Sequence, residues 1–176
     1  MKTNQHQTEP PRIYVACLAA YNNGYLHGAW IEATDAWSMW EATRDMLAKS
    51  PIPDAEEWAI HDYEGFASIR ISEYASFERV AELAAFIAEH GALGAELIDH
   101  FCGDLDEARS ALDDRHLGQY ESLADYVQDI TEETTEIPQS LRFYIDWKAM
   151  ARDCELNGDL FTIQTAHDAV HVFAGC

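Results

Sequence analysis

The run RIYVACLAAYNNGYLHGAWIEA, residues 12–33, decides the fold class. Ile13 to Leu18 is a short, nearly continuous apolar stretch, Asn23-Gly24 supplies a turn at positive φ, and Tyr25 to Ile31 returns; the spacing predicts a β-hairpin. Two strands alone are marginal in water. Their cover is expected in the segment that follows, where Thr34 or Asp35 is an N-cap type, the helix continues to Lys49, and Ser50-Pro51 stops it. Trp37, Trp40 and Leu47 would lie on the sheet, the two tryptophans as core packing rather than as a ligand platform. Trp58 to Tyr63 predicts a third strand. Residues 12–66 therefore read as an α+β module. Residues 1–11, MKTNQHQTEPP, lack the apolar core of a signal peptide and read as a flexible tail.

After Gly65 the periodicity becomes helical. Ser76 caps a helix whose Val80, Leu83, Ala84 and Ile87 share a face, closed by His90-Gly91; Leu93, Leu97 and Phe101 mark a shorter helix that stops at Gly103. Residues 67–103 form a helical middle module. Residues 104–176 read as a third, acidic α+β module. Asp104-Leu-Asp-Glu107 opens a helix through Leu105, Ala108 and Leu112. Leu123, Tyr126, Val127 and Ile130 give a helix over 122–133 one apolar face. Past Pro138, Ser140 caps a helix to Glu155 ended by Asn157-Gly158, and residues 160–164 and 169–173 close the chain as a hairpin. The expected architecture is α+β, an elongated series of three small modules (α+β, helical, α+β) following the tail.

The net charge is −21 in 176 residues. A small domain needs a net charge of only about 2–8 for solubility, and excess charge opposes compaction. Nearly half of the excess lies between Asp99 and Glu136, where twelve carboxylates face two arginines. Asp125, Asp129, Glu132 and Glu136 run down one side of a predicted helix with no basic residue among them, although like charges at i,i+4 cost roughly 0.2–0.5 kcal/mol per pair. The candidate contact residues are Asp104, Asp106, Glu107, Asp113, Asp114, Glu121, Asp125, Asp129, Glu132, Glu133 and Glu136, extended by Asp54, Glu56, Glu57, Asp62 and Glu64. A charge of this sign repels nucleic acid and anionic membrane and attracts basic surfaces, so the expected partner is a protein that itself binds polyanions. Adaptation to high salt is the plainer alternative.

The same residues form no catalytic or metal motif. A calcium loop starting at Asp104 would place Ala108 and Arg109 at positions 5 and 6, where a ligand and a glycine are needed. His167 and His171 sit in a strand-like tail, about 13 Å apart at four residues' separation. There is no GxSxG, GxxxxGK[ST] or GxGxxG motif, and Cys17, Cys102, Cys154 and Cys176 share no CxxC spacing. No metal, cofactor or catalytic residue is expected. Reduced thiols, and no apolar run near the roughly 20 residues needed to span a bilayer, point to the cytoplasm.

Three stretches together resemble the ArdA antirestriction proteins of plasmids and conjugative transposons: IYVACLAAYNNGYLHGAWIEA from Ile13, LADYVQDITEE from Leu123, and YIDWKAMARDCELNGDLFTI from Tyr144. Gln128 interrupts the acidic run with a neutral residue. The resemblance implies an elongated homodimer of three-module chains, a DNA mimic rather than an enzyme. It implies binding to the methyltransferase core of Type I restriction–modification enzymes in place of DNA, which would block cleavage and methylation. The alternative of a different class is an acidic binding module for another basic DNA-binding protein, and a weaker one is a small hydrolase with a carboxylate site.

Overall fold

A computed structural model describes residues 10–175. Residues 1–9 of the predicted tail and Cys176 lie outside the described residues. Pro11 is anchored, its carbonyl accepting from the Ala33 N–H at 2.8 Å. The fold is α+β, with two separate three-stranded antiparallel sheets. Backbone contacts group the chain into two compact units, residues 1–95 and 96–176.

In the first unit, β1 (Arg12–Cys17) is the central strand between β2 (Gly28–Glu32) and β3 (Trp58–Glu64). Ile13 is paired with Ile31 on one side and Tyr63 on the other. The predicted hairpin pairing is present, but its connection is not a two-residue turn. Leu18–Asn22 forms a short helix, α1, in which Ala19 and Ala20 favour helix and the Cys17 thiol accepts from the Ala20 N–H. Gly24, at φ 83°, closes it, and the returning strand starts at Gly28 rather than Tyr25. A Cβ at position 28 would lie 2.6 Å from the Val15 carbonyl oxygen, so only glycine lets the strands approach there.

Helix α2 (Ala36–Leu47) has Asp35 as its N-cap, whose carboxylate accepts from the Ser38 N–H at 2.9 Å and the Ser38 hydroxyl at 2.7 Å. These bonds to the ionised form hold the Asp35 pKa below its usual value. The helix presents Met39, Thr43 and Met46 to the core. Trp37 and Trp40 are 69% and 46% exposed, and Trp40 reaches the core only by its ring contacts with Trp58 and Phe77. The reading of these two indoles as core packing is corrected: of two possible apolar stripes, the sheet takes the methionines, whose unbranched side chains fill irregular gaps. Helix α3 (Phe77–His100) leaves helical geometry at Gly91 (φ 58°, ψ −138°), the predicted break. The unit boundary falls inside this helix.

In the second unit, α4 (Leu105–Ser110) passes through a π-helical turn, Ala111–Arg115, into β4 (His116–Tyr120), a strand the sequence pattern does not reveal. It pairs with β6 (Ala169–Ala174), which also pairs with β5 (Leu160–Ala166). Facing rings cross this sheet. His116 lies 4.8 Å from Phe173, and Phe173 stacks on Phe161 at 4.9 Å. Helix α5 (Leu123–Thr134) buries Leu123 and Val127 with Ala151 and Val172, and the half-buried Tyr120 and Tyr126 pack against that cluster. Helix α6 runs Trp147–Asn157. The predicted start at Ser140 is corrected: Asp146, accepting from the Ala149 N–H at 3.0 Å, is the cap, and residues 142–144 make only one 3-10 turn. Aromatic and β-branched residues between 143 and 145 weaken helix propensity before that cap.

Candidate protein-interaction surface

All sixteen acids singled out from the sequence are exposed. Eleven belong to the second unit and five to the first.

The second-unit acids fall into three local settings. Asp104 caps α4 with one carboxylate oxygen, 3.1 Å from the N–H groups of both Asp106 and Glu107. Asp106 lies 3.6 Å from Arg109, and Glu107 is 3.0 Å from Arg115. The Arg115 guanidinium also covers the Phe101 ring at 5.3 Å, which fixes it against this unit. Asp113 and Asp114 sit in the π-helical turn, where no cap hydrogen bond involves them. Glu121 leads into α5.

Helix α5 carries the densest row. Ser122 and Asp125 cap its start reciprocally, the Ser122 hydroxyl donating to Asp125 at 2.6 Å and accepting from its N–H at 3.3 Å. Asp129, Glu132 and Glu133 follow, and Glu132 accepts a 3.4 Å hydrogen bond from Gln128. The neutral residue that interrupts the run thus steadies one of its members. Glu136 lies beyond the helix, past Thr135, where the backbone is extended. Among the described residues, none of Asp125, Asp129, Glu132, Glu133 and Glu136 makes an ion pair with Lys, Arg or His. The last turn contains no basic residue, so Glu132 and Glu133 also oppose the helix dipole, at about 0.3–1 kcal/mol each. Asp125 to Glu133 spans about 12 Å at 1.5 Å per residue.

The first-unit acids are less uniform. Glu64 is paired with Arg12 at 2.6 Å, and that guanidinium lies 4.9 Å over the Trp30 ring. Asp62 accepts from the N–H of Tyr63 at 2.8 Å, and Asp54 occupies a turn at φ 55°. Glu56 and Glu57 lead into β3, where the Glu57 carbonyl accepts from the Leu18 N–H.

Exposed apolar groups escaped the sequence reading. Leu141, Phe143 and Tyr144 are 53%, 92% and 85% exposed, in the segment before α6. Three large apolar residues within four positions were the available signal, but the helix expected there hid it. His116 Nε2 lies 3.1 Å from His171 Nδ1, while His167 sits in the β5–β6 turn. Among the described residues, no group of three or more His, Cys, Asp or Glu side chains is arranged to hold a metal ion. No helix among them is long and apolar enough to cross a membrane.

Fold and surface define a class: an acidic α+β protein that turns its carboxylates outward and leaves many without cationic partners. Within that class the family is specific. The chain matches the ArdA antirestriction protein family over residues 13–169 and belongs to it. No curated protein matches it.

Proposed function

We propose that this antirestriction protein is a DNA mimic that occupies the DNA-binding channel of Type I restriction–modification enzymes. The observation that carries the reading is the row of exposed, unpaired carboxylates on α5. Four charges over about 12 Å of helix axis average one every 3–4 Å of axis, comparable with one charge per 3.4 Å of axis for a single DNA strand. A channel lined with Lys and Arg therefore meets a linear charge density near that of one DNA strand. The cost of this row to the free protein, through like-charge repulsion and the helix dipole, fits a charge array kept for a partner rather than for stability.

Inhibition is competitive occupancy and uses no catalytic residue. Cleavage and methylation both require DNA in the channel of the methyltransferase core, so both fall together. The acids of residues 104–136 make the principal contacts, with Asp54, Glu56, Glu57, Asp62 and Glu64 extending the field. The acting form is a homodimer of chains with modules at 12–66, 67–103 and 104–176, carried by a mobile genetic element and working in the cytoplasm. The exposed Leu141, Phe143 and Tyr144 are an apolar surface on which a second copy would dock.

The test is displacement. Purified Type I methyltransferase holding a fluorescent duplex is titrated with the protein; release of the duplex with parallel loss of methylation is expected. Loss of cleavage while the duplex stays bound would refute competition for the channel.

A further inference from the structure

One face of the first unit carries a cleft of about 440 Å³ that the acidic surface does not explain. Three tryptophans are among its lining residues. Trp37 and Trp40 stand one turn apart on the outer side of α2, and Trp58 enters from β3. The Trp40 and Trp58 rings meet at 89° with centroids 5.4 Å apart, so they form two walls of a corner. Phe77 backs the corner, stacked on Trp58 at 4.4 Å and edge-on to Trp40 at 4.9 Å. Large aromatic side chains left this accessible on a folded protein mark a binding surface more often than a solubilising one.

The electrostatics select the occupant. Glu41 and Glu56 line the cleft, with Arg44 as the one basic residue among its lining. Arg44 is 3.8 Å from Glu41, which neutralises it, whereas Glu56 has no ion pair among the described residues. The lining is therefore net negative on a chain of charge −21. Indole faces attract a positive group, so a tryptophan-lined cleft of net negative charge favours a cation. Thr43, also among the lining residues, is fully buried and its hydroxyl has no partner among the described residues. A guanidinium suits this cleft better than an ammonium: it is planar, weakly hydrated, stacks on aromatic faces and carries five N–H donors. The chain already makes such a pair elsewhere, with Arg12 over Trp30.

We propose that the Trp37–Trp40–Trp58 cleft is a socket for an arginine side chain of the partner protein. The identity of that partner rests on the DNA-mimic reading; the socket chemistry does not. A channel that grips DNA is rich in arginine, and one seated beside the carboxylate field would add a short-range anchor to long-range attraction.

The full-length protein, with its indole N–H groups observed by NMR, is titrated with Nα-acetyl-arginine amide. The neutral citrulline analogue and the lysine analogue are titrated in parallel, each to about 50 mM, well above the millimolar affinity of a weak site. The expected result is a saturable shift of the Trp37, Trp40 and Trp58 signals, with those of Trp30 and Trp147 unmoved, and at least fivefold weaker binding of both analogues. Trp37→Ala, which removes an exposed ring and leaves the core intact, should weaken binding about fivefold or more, and Glu56→Gln about twofold. Equal binding of citrulline would make the cleft a neutral apolar site, and equal or tighter binding of the lysine analogue would make it an ammonium cage; either overturns the proposal, as does the absence of a saturable shift. The probe is read on the protein alone, so binding without DNA displacement would sink the mimic and spare the socket, and displacement without probe binding the reverse.

Discussion

At the scale of single residues, two groups have consequences that can be measured apart from any partner. Thr43 buries a hydroxyl with no hydrogen-bond partner among the described residues, and such a group costs about 1–3 kcal/mol when it is cut off from water. Thr43→Val keeps the shape and removes the orphan, so the urea midpoint should rise by the equivalent of about 1 kcal/mol; a fall would mean that the hydroxyl is bonded in solution. The second group is His171. Burial lowers its pKa first, and His116 beside it lowers it further. With the folded value below the unfolded 6.5, the unfolded chain binds the extra proton, so the contribution of this histidine is fully present above 6.5 and is lost as pH falls through the folded value. Stability should therefore decline on acidification from neutrality, before the carboxylates titrate. In His171→Gln, urea midpoints over the same range should fall less steeply than in the parent; equal slopes would assign the decline to other histidines.

Elements were legible where a local cap and a one-sided pattern agreed, and hidden where a choice between faces depended on what lay beneath. Asp35, Ser122 and Gly158 stand at helix ends as the sequence pattern indicates, because each satisfies or releases backbone groups locally. By contrast, α2 has two apolar stripes. Nothing in residues 36–47 says that Met39 and Met46 face the sheet while Trp37 and Trp40 look outward. Strand β4 was invisible for a related reason: His116-Leu-Gly-Gln-Tyr120 is short and weakly alternating, its pairing with β6 shifts register between His116 and Gly118, and its ring contact with Phe173 is long-range. The acids were readable as exposed, because a carboxylate is almost never buried unpaired. What the pattern could not tell is which ones would be occupied, as Asp104 is by the α4 cap and Glu64 by Arg12. The α5 row yields a prediction at this scale. Glu132→Gln and Glu133→Gln each relieve repulsion and the dipole penalty, so each should raise stability by about 0.3–1 kcal/mol while weakening inhibition modestly. A loss of stability in both would mean that these carboxylates are held by favourable contacts, and the picture of a row maintained at a cost would fail.

For the whole molecule, apolar and charged surfaces should separate into different roles. If Phe143 and Tyr144 form the self-association surface, Phe143→Ser with Tyr144→Ser should convert a dimer to a monomer in sedimentation experiments while the fold, to which these exposed rings contribute little, persists. An unchanged dimer would move that surface elsewhere. Recognition of the restriction enzyme should instead depend on salt, because attraction between the carboxylate field and a basic channel is screened over about 8 Å at physiological ionic strength. DNA binding weakens with a slope of about −0.9 per neutralised phosphate through release of condensed counterions. Carboxylates on one helix at 3–4 Å spacing are less dense than duplex DNA, which carries a charge every 1.7 Å or so of axis, and they condense fewer ions. The expected slope for this protein is thus real but shallower than that for DNA on the same enzyme, so the protein should compete better as salt rises. Neutralising Asp125, Asp129, Glu132 and Glu136 together should flatten the slope further, whereas Trp37→Ala should lower affinity without changing it, since a seated arginine on an indole is a short-range contact. Affinity independent of salt from low to physiological concentration would assign recognition to the apolar surfaces and leave the carboxylates as a solubilising coat.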